Sequence, residues 1–310
     1  MHTTDIDLRL LRVFRAVADS GGFTNAQAVL NVSPSTISNH MAQLESRLGF
    51  KLCERGRAGF RLTERGAAFH LQVQAFFQSL HALETQALEL REGLSGHLRL
   101  GLIDNMITDE GSPLGPALSR FFTYPENSVH TSVSVLSPQE MEAQVLAGEL
   151  DAAIGIFGRP RSGLCYQKLY SERDVLVCGP THPLARISDA RALCEQIPKA
   201  GKVVRTFMPQ QEFPFLHAED ETVTASVTNV EAAALLVLHG GLIGFLPHHY
   251  AASWIERGQM VALLPKYFTR SSEISLITRE VPQYHNNALQ VFLDAVNETQ
   301  AAMCAEGQRS

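Results

Sequence analysis

Residues 21–66 read GGFTNAQAVLNVSPSTISNHMAQLESRLGFKLCERGRAGFRLTERG, and the punctuation of this stretch decides the fold of the first part of the chain. Ser33-Pro34 marks a helix start: Ser33 is a good N-cap, and Pro34 fits the first helical position, where a missing N–H has no partner to lose. From there Ile37, Met41, Leu44 and Leu48 recur at steps of four, three and four, the apolar stripe of a helix. The other face presents Ser35, Thr36, Ser38, Asn39, His40 and Gln43. These are short hydrogen-bonding side chains without carboxylates, suited to base edges in a major groove. A solvated helix face reads the same way in isolation, so the neighbours must decide. Upstream, Thr24 with Gln27 has the capping-box pattern and Phe23 the staple position, predicting a short helix from Thr24 to about Leu30. Asn31-Val32 leaves room only for a tight turn. Two helices so joined, the second polar-faced, form a helix-turn-helix.

A first helix is expected from near Asp7, with Leu8, Leu11, Phe14, Val17 and Ala18 at helical spacing, stopping at Ser20-Gly21-Gly22. Downstream of the motif, Cys53–Leu62 falls into two glycine-interrupted halves carrying Arg55, Arg57 and Arg61. This reads as a small basic hairpin, a wing, whose arginines can hold phosphates and fix register without reading sequence. With Ser33 at the helix start, these residues make up the candidate DNA-binding set.

From Leu8 to Gly66 the chain resembles the LysR-type transcriptional regulators, the quoted stretch carrying the likeness. The resemblance implies an α/β protein with an N-terminal winged helix-turn-helix, a long linker helix and a two-lobed, periplasmic-binding-protein-like effector domain. It also implies a homodimer, or a tetramer made of two, on double-stranded DNA with an interrupted palindromic operator, and a small-molecule effector between the lobes. Many relatives have Gln-Pro where this chain has Pro34-Ser35, and often Arg where it has Asn39. No Arg or Lys occurs between Ser33 and Ser46. A bidentate arginine–guanine contact from this helix is therefore not expected, and Asn39 and Gln43 suit adenine instead.

Thr63 can cap a long helix running without Pro or Gly from Ala67 to Glu92. Phe69, Val73, Phe76, Leu80, Leu83, Ala87 and Leu90 alternate steps of four and three, a heptad seam that predicts helix pairing between two chains. The same pattern also fits a helix packed on its own domain. Gly93-Leu94-Ser95-Gly96 reads as a hinge. The expected division is a DNA-binding domain over 1–65, a dimerisation helix over 66–92, a hinge over 93–97 and an effector domain over 98–310. Lobe I takes about 98–170 and 272–305, and lobe II about 171–271.

Beyond the hinge, strands at Leu98–Ile103, Val129–Leu136 and Ala152–Ile156 alternate with helices at Leu114–Phe122 and Pro138–Ala147, a βαβαβ pattern and hence a parallel sheet. A second series follows: strands at Val175–Cys178, Val223–Val227, Leu242–Leu246 and Met260–Leu263, with helices at Val230–Leu238 and His248–Arg257. Glu273–Thr278 and a last helix from Asn286 return to the first lobe. Ligands of such folds lie at carboxyl ends of strands, against helix N-termini. Asp104, Asn105, Thr108, Ser137, Phe207, Asn229 and His248 are the candidate effector-binding residues. Helix starts favour an organic acid, whereas Asp104 would favour an amine or a zwitterion. Ser137 and Asn229 can equally be plain N-caps, and Phe207 core.

Composition sets the outer limits. The 310 residues are 45% hydrophobic and 19% charged, enough for a sizeable core. The net charge is -6, yet residues 1–65 hold nine of the 26 Lys and Arg and only six of the 32 Asp and Glu, so a basic head precedes an acidic body. The start lacks a basic, then apolar, signal pattern, and no run reaches the roughly 18 apolar residues of a membrane span, so a cytoplasmic location is expected. Cysteines 53, 165, 178, 194 and 304 are scattered without a CxxC, which predicts neither a disulfide framework nor a zinc module. His248-His249 with His239 and His285 repeats no ligand spacing, so no metal and no cofactor are assigned. Without GxSxG, a phosphate loop or a dinucleotide fingerprint, an enzyme is not expected. The alternatives are a helix-turn-helix regulator whose body binds a partner rather than a small ligand, and a solute-binding protein.

Overall fold

The computed structural model describes residues 7–56, 59–89, 93–207, 223–282 and 286–307. It forms two compact units, residues 1–84 and 85–310.

The first unit contains α1 (Leu8–Asp19), α2 (Phe23–Leu30), α3 (Pro34–Leu48), the antiparallel pair β1 (Cys53–Gly56) and β2 (Gly59–Leu62), and the start of α4 (Glu64–Glu89). Asp7 caps α1 through the amide of Arg9, and the helix buries Leu10, Leu11, Val13, Phe14 and Val17, leaving Leu8 exposed. The expected capping box on α2 does not form. The helix begins a residue early, at Phe23, with Gly22 as a cap that has no side chain to offer, so Thr24 already lies inside the first turn. Ser33 and Pro34 behave as read: the Ser33 hydroxyl accepts from the Thr36 amide at 3.2 Å. Such a cap contributes on the order of 1 kcal/mol.

Helix α4 starts at Glu64, directly after the Thr63 cap that the sequence predicts, and takes Gly66 into its first turn. The reason is local. Thr63 Oγ1 accepts from the Gly66 amide at 2.9 Å and donates to the Lys51 carbonyl at 2.8 Å, tying the helix start to the chain before the wing. A Cβ on Gly66 would stand 1.9 Å from the Leu52 carbonyl oxygen, so only glycine allows this approach.

The second unit opens with a parallel trio, β3 (His97–Leu102) between β4 (His130–Val135) and β5 (Ala152–Gly155), with α5 (Leu114–Phe122) and α6 (Pro138–Ala147) as crossovers. Two long strands follow the expected pattern only in part. β6 spans Leu164–Cys178, where the sequence predicts only its last four residues, and β11 spans Thr269–Arg279. They pair antiparallel from Leu164–Arg279 to Val175–Thr269. β5 joins β11, while β9 (Gly244–Pro247) and β10 (Val261–Ala262) join the far end of β6. This ribbon therefore carries both chain crossings between two lobes. The first lobe closes its core with α10 (Asn287–Gly307) through Phe292 and Val296. The second builds around α7 (Ala190–Gln196), β7 (Lys202–Arg205), β8 (Val223–Val227), α8 (Val230–His239) and α9 (His248–Glu256), with Val177, Val203, Val237 and Leu246 buried. Neither α7 nor β7 was expected. Among the described residues no helix is long and apolar enough to cross a membrane.

Candidate DNA interface and ligand cleft

On α3, Ser35, Asn39 and Gln43 are exposed, while Thr36, Ser38 and His40 are half-buried. Ser33 Oγ lies 2.8 Å from both Ser35 Oγ and Thr36 Oγ1, so the cap and its neighbours satisfy one another. His40 Nδ1 is buried with no hydrogen bond. The amides of Asn39 and Gln43 are thus the most available donor–acceptor pairs on this face. In the wing, Arg61 donates through Nε (2.8 Å) and Nη2 (2.5 Å) to Glu54 Oε2. Both side chains are exposed, and such a pair is worth about 0–1 kcal/mol, so a phosphate can replace Glu54. Arg55 falls on β1 opposite Phe60, and Arg57 lies outside the described residues.

The heptad seam divides. Val73 is buried with Phe77 in the core of its own head, Leu80 packs against that core, and the Phe69 ring lies 5.6 Å from Phe14. These three side chains are therefore occupied inside one chain, contrary to a seam devoted wholly to a second chain. Phe76 and Leu83 remain 43% and 62% exposed. Ala87 is on α4 but its side chain, like Leu90, lies outside what is described. Spacing alone could not separate the two uses, because a helix buries any apolar face that a neighbour covers.

In the second unit, four of the seven candidate effector residues come together. Asp104, Ser137, Phe207 and Asn229 line one cleft of about 410 Å³, with Glu140, Thr206 and Thr228 beside them. Ser137 and Glu140 form a complete capping box on α6; Glu140 Oε2 accepts from the Ser137 amide at 2.9 Å and its hydroxyl at 2.6 Å. Those hydrogen bonds hold the Glu140 carboxyl below its ordinary range. Asn229 Oδ1 caps α8 through the Ala232 amide at 2.7 Å. Asp104, on the loop after β3, reaches into the other lobe: its Oδ2 accepts from the Val230 amide, the first of α8, at 2.5 Å. The positive end of α8 is thus held by the protein's own carboxylate. Glu140 was missed although Ser137-Pro138-Gln139-Glu140 is a legible capping box.

The other three candidates lie elsewhere. Asn105 turns the loop at φ 67°, and its Nδ2 is buried without a partner. His248 is exposed at the start of α9, outside the cleft lining. The helix instead turns His249 inward, where Thr108 Oγ1 meets its Nδ1 at 2.8 Å and Glu172 Oε1 its Nε2 at 3.0 Å. Asp109 Oδ2 stands 3.6 Å from the same Nε2. Burial pushes the Glu172 carboxyl above its usual range, with the charge of Asp174 adding to this and the hydrogen bond to His249 opposing it. For His249 burial disfavours the charge, but the hydrogen bond to Glu172 and the charges of Asp109, Glu172 and Asp174 together outweigh it, so its pKa is raised. Two residues along β6, fully buried Asp174 accepts from Arg205 Nη2 at 2.9 Å and Arg270 Nε at 3.0 Å.

Comparison with known proteins agrees with this architecture. Residues 91–301 match the family model for the LysR substrate binding domain, and residues 8–67 that for the bacterial regulatory helix-turn-helix protein, lysR family. The HTH-type transcriptional activator BauR of Pseudomonas aeruginosa is 34% identical over 95% of this chain and 96% of its own. Among solved structures, the full-length Vibrio cholerae virulence activator AphB shares the fold at TM-score 0.59 and 18% identity, over 94% of this chain and 99% of that one. Full-length CbnR, solved in complex with its target DNA, does so at 0.59 and 20%, over 95% and 100%. The relatives are transcription regulators, not enzymes. Matched along nearly its whole length, from the helix-turn-helix through the two-lobed substrate binding domain, the chain belongs to the LysR family of transcriptional regulators.

Proposed function

We propose that the protein binds an interrupted palindromic operator as a dimer, or a tetramer of two dimers, and responds to a small organic acid that also carries an amine. The operator reading rests on Ser35, Asn39 and Gln43 on the exposed face of α3, with Arg55, Arg57 and Arg61 on phosphates. Dimerisation is assigned to the α4 row that its own head leaves uncovered, Phe76 and Leu83. The working division is a DNA-binding domain over 1–65, a dimerisation helix over 66–92, a hinge over 93–97 and a sensor over 98–310.

The observation that carries the effector class is the Asp104 carboxylate on the first amide of α8. Two carboxylates, Asp104 and Glu140, line the cleft, and among its described lining residues there is no Lys or Arg. A plain carboxylate would meet like charge and find the α8 amide taken. A ligand with both groups resolves this: its carboxylate takes the Val230 amide, and the released Asp104 pairs with its ammonium. That exchange alters the lobe-to-lobe contact, giving the ligand the differential affinity that a switch requires.

The test is thermal unfolding of the full-length protein with short amino acids, with the matching acids lacking the amine, and with the matching amines. Compounds carrying both groups should stabilise it, by about 2.7 kcal/mol at a hundred times Kd, and Asp104→Asn should remove the preference for the amine. Equal stabilisation by the plain acids, unchanged in Asp104→Asn, would contradict the assignment.

A further inference from the structure

The His249 cluster lies outside the ligand cleft and takes no part in the proposed sensing reaction. Its donors come from three places: Asp109 from the loop after β3 in the first lobe, Glu172 from the crossing strand β6, and His249 from the first turn of α9 in the second lobe. One ligand atom from each lies within 4.8 Å of the others. His249 Nε2 is 3.0 Å from Glu172 Oε1 and 3.6 Å from Asp109 Oδ2. Tetrahedral bonds of about 2.0–2.2 Å place neighbouring donors about 3.3–3.6 Å apart, so the two separations bracket a coordination edge.

The surroundings favour a cation. The three side chains are only 14%, 12% and 9% exposed for His249, Asp109 and Glu172. Asp109 Oδ1 accepts from the Gly111 amide at 2.9 Å, whereas its buried Oδ2 has no hydrogen bond. Asp174 follows on the same strand face, but its carboxylate is already paired with Arg205 and Arg270, so the charge open to a cation is that of Asp109 and Glu172. Thr108 Oγ1 sits 2.8 Å from His249 Nδ1. Accepting the Nδ1 proton, it leaves the Nε2 lone pair for a metal and fixes the ring plane, as outer partners of metal-bound histidines do.

We propose that Asp109, Glu172 and His249 form a site for a first-row transition-metal dication of the Zn²⁺ type. One imidazole nitrogen and two carboxylates match such ions better than Mg²⁺ or Ca²⁺, which take oxygen ligands. Three protein ligands leave a position for water, so the ion is exchangeable. Binding joins both lobes to the strand between them, and the loop that supplies Asp109 also supplies Asp104 to the cleft. Metal occupancy therefore biases the same lobe arrangement that the effector reads. The site itself does not depend on the effector reading.

Untagged full-length protein, stripped with a chelator and dialysed, is titrated with Zn²⁺, with Mg²⁺ as the contrast, and bound metal is counted. One Zn²⁺ per chain at this site, raised thermal stability and no response to Mg²⁺ are expected. His249→Gln and Asp109→Asn should each lose that ion, and Co²⁺ should give the visible absorption of a tetrahedral site only where all three ligands are present. Thr108→Val keeps every ligand and should weaken binding about 10–100-fold. Because that residue is exposed, this variant keeps the test valid if a ligand substitution prevents folding. Zn²⁺ uptake that is absent, or unchanged in all three variants as binding at the exposed cysteines would be, overturns the proposal.

Discussion

Replacing Asp174 by Asn removes a carboxylate that accepts from both Arg205 and Arg270. Arg205 and Asp174 are 1% and 0% exposed, and Arg270 is 11% exposed, so water cannot compensate for a lost charge. Breaking a buried pair by removing one partner costs about 3–5 kcal/mol, chiefly because the remaining charge stays buried. Glu172 also acts on Arg205, which places the expectation at the lower end. For a unit the size of residues 85–310, each kcal/mol moves the midpoint by about 2–4 °C, so a fall of roughly 6–12 °C is expected. Differential scanning calorimetry and urea unfolding of the full-length protein measure it. Asp174→Leu combined with Arg205→Leu should recover part of the loss, because the fully buried Arg205 charge is then removed together with its partner carboxylate. A loss below about 1 kcal/mol for Asp174→Asn, or a double variant worse than the sum of the singles, would refute the reasoning.

Further outcomes follow from other particular contacts. Gly66→Ala forces a Cβ onto the Leu52 carbonyl, so the head should lose about 1–3 kcal/mol or more, read as weakened operator binding with unchanged thermal response of the sensor to ligand. The lowered pKa of Glu140 means that its contribution to stability is present above the ordinary glutamate value of about 4.3 and is lost as pH falls through the lowered one. Glu140→Gln, which still caps α6, should therefore flatten the acid limb of the urea midpoint against pH; an identical limb would contradict the capping-box account. Arg57→Ala should weaken binding to every DNA and reduce the slope of log affinity against log salt by about one, measured by fluorescence anisotropy.

The head was legible almost residue by residue, because Ser33-Pro34 and the Ile37–Leu48 stripe are local signals whose physics needs no partner. The errors there came from contacts distant in sequence. The Thr63 cap of α4 was legible, but the close approaches of Thr63 to Lys51 and of Gly66 to Leu52 are tertiary and were not. The heptad seam was overextended because Val73 and Leu80 meet α1–α3 of their own chain. In the sensor, buried apolar strands such as Ala152–Gly155 announced themselves, but β6 did not. Its stretch Cys-Tyr-Gln-Lys-Leu-Tyr-Ser-Glu-Arg-Asp is polar because Cys165, Lys168, Ser171 and Arg173 face out, while the buried Glu172 and Asp174 are charged and paired. Of the cleft, Asp104, Ser137, Phe207 and Asn229 were readable as residues at strand ends and helix starts. The inward turn of His249 instead of His248 was not, since it depends on Glu172, 77 positions away.

The central claim is that α3 reads operator bases through its exposed amides. Selection of bound sequences from a random DNA pool, with full-length protein and the Asn39→Ala variant side by side, tests it most directly. A two-fold symmetric motif containing adenines in each half-site is expected, with the variant losing on the order of 1–3 kcal/mol on that motif and far less on random DNA. Recovery of no motif at any salt, or of the same motif with undiminished affinity in the variant, would contradict it.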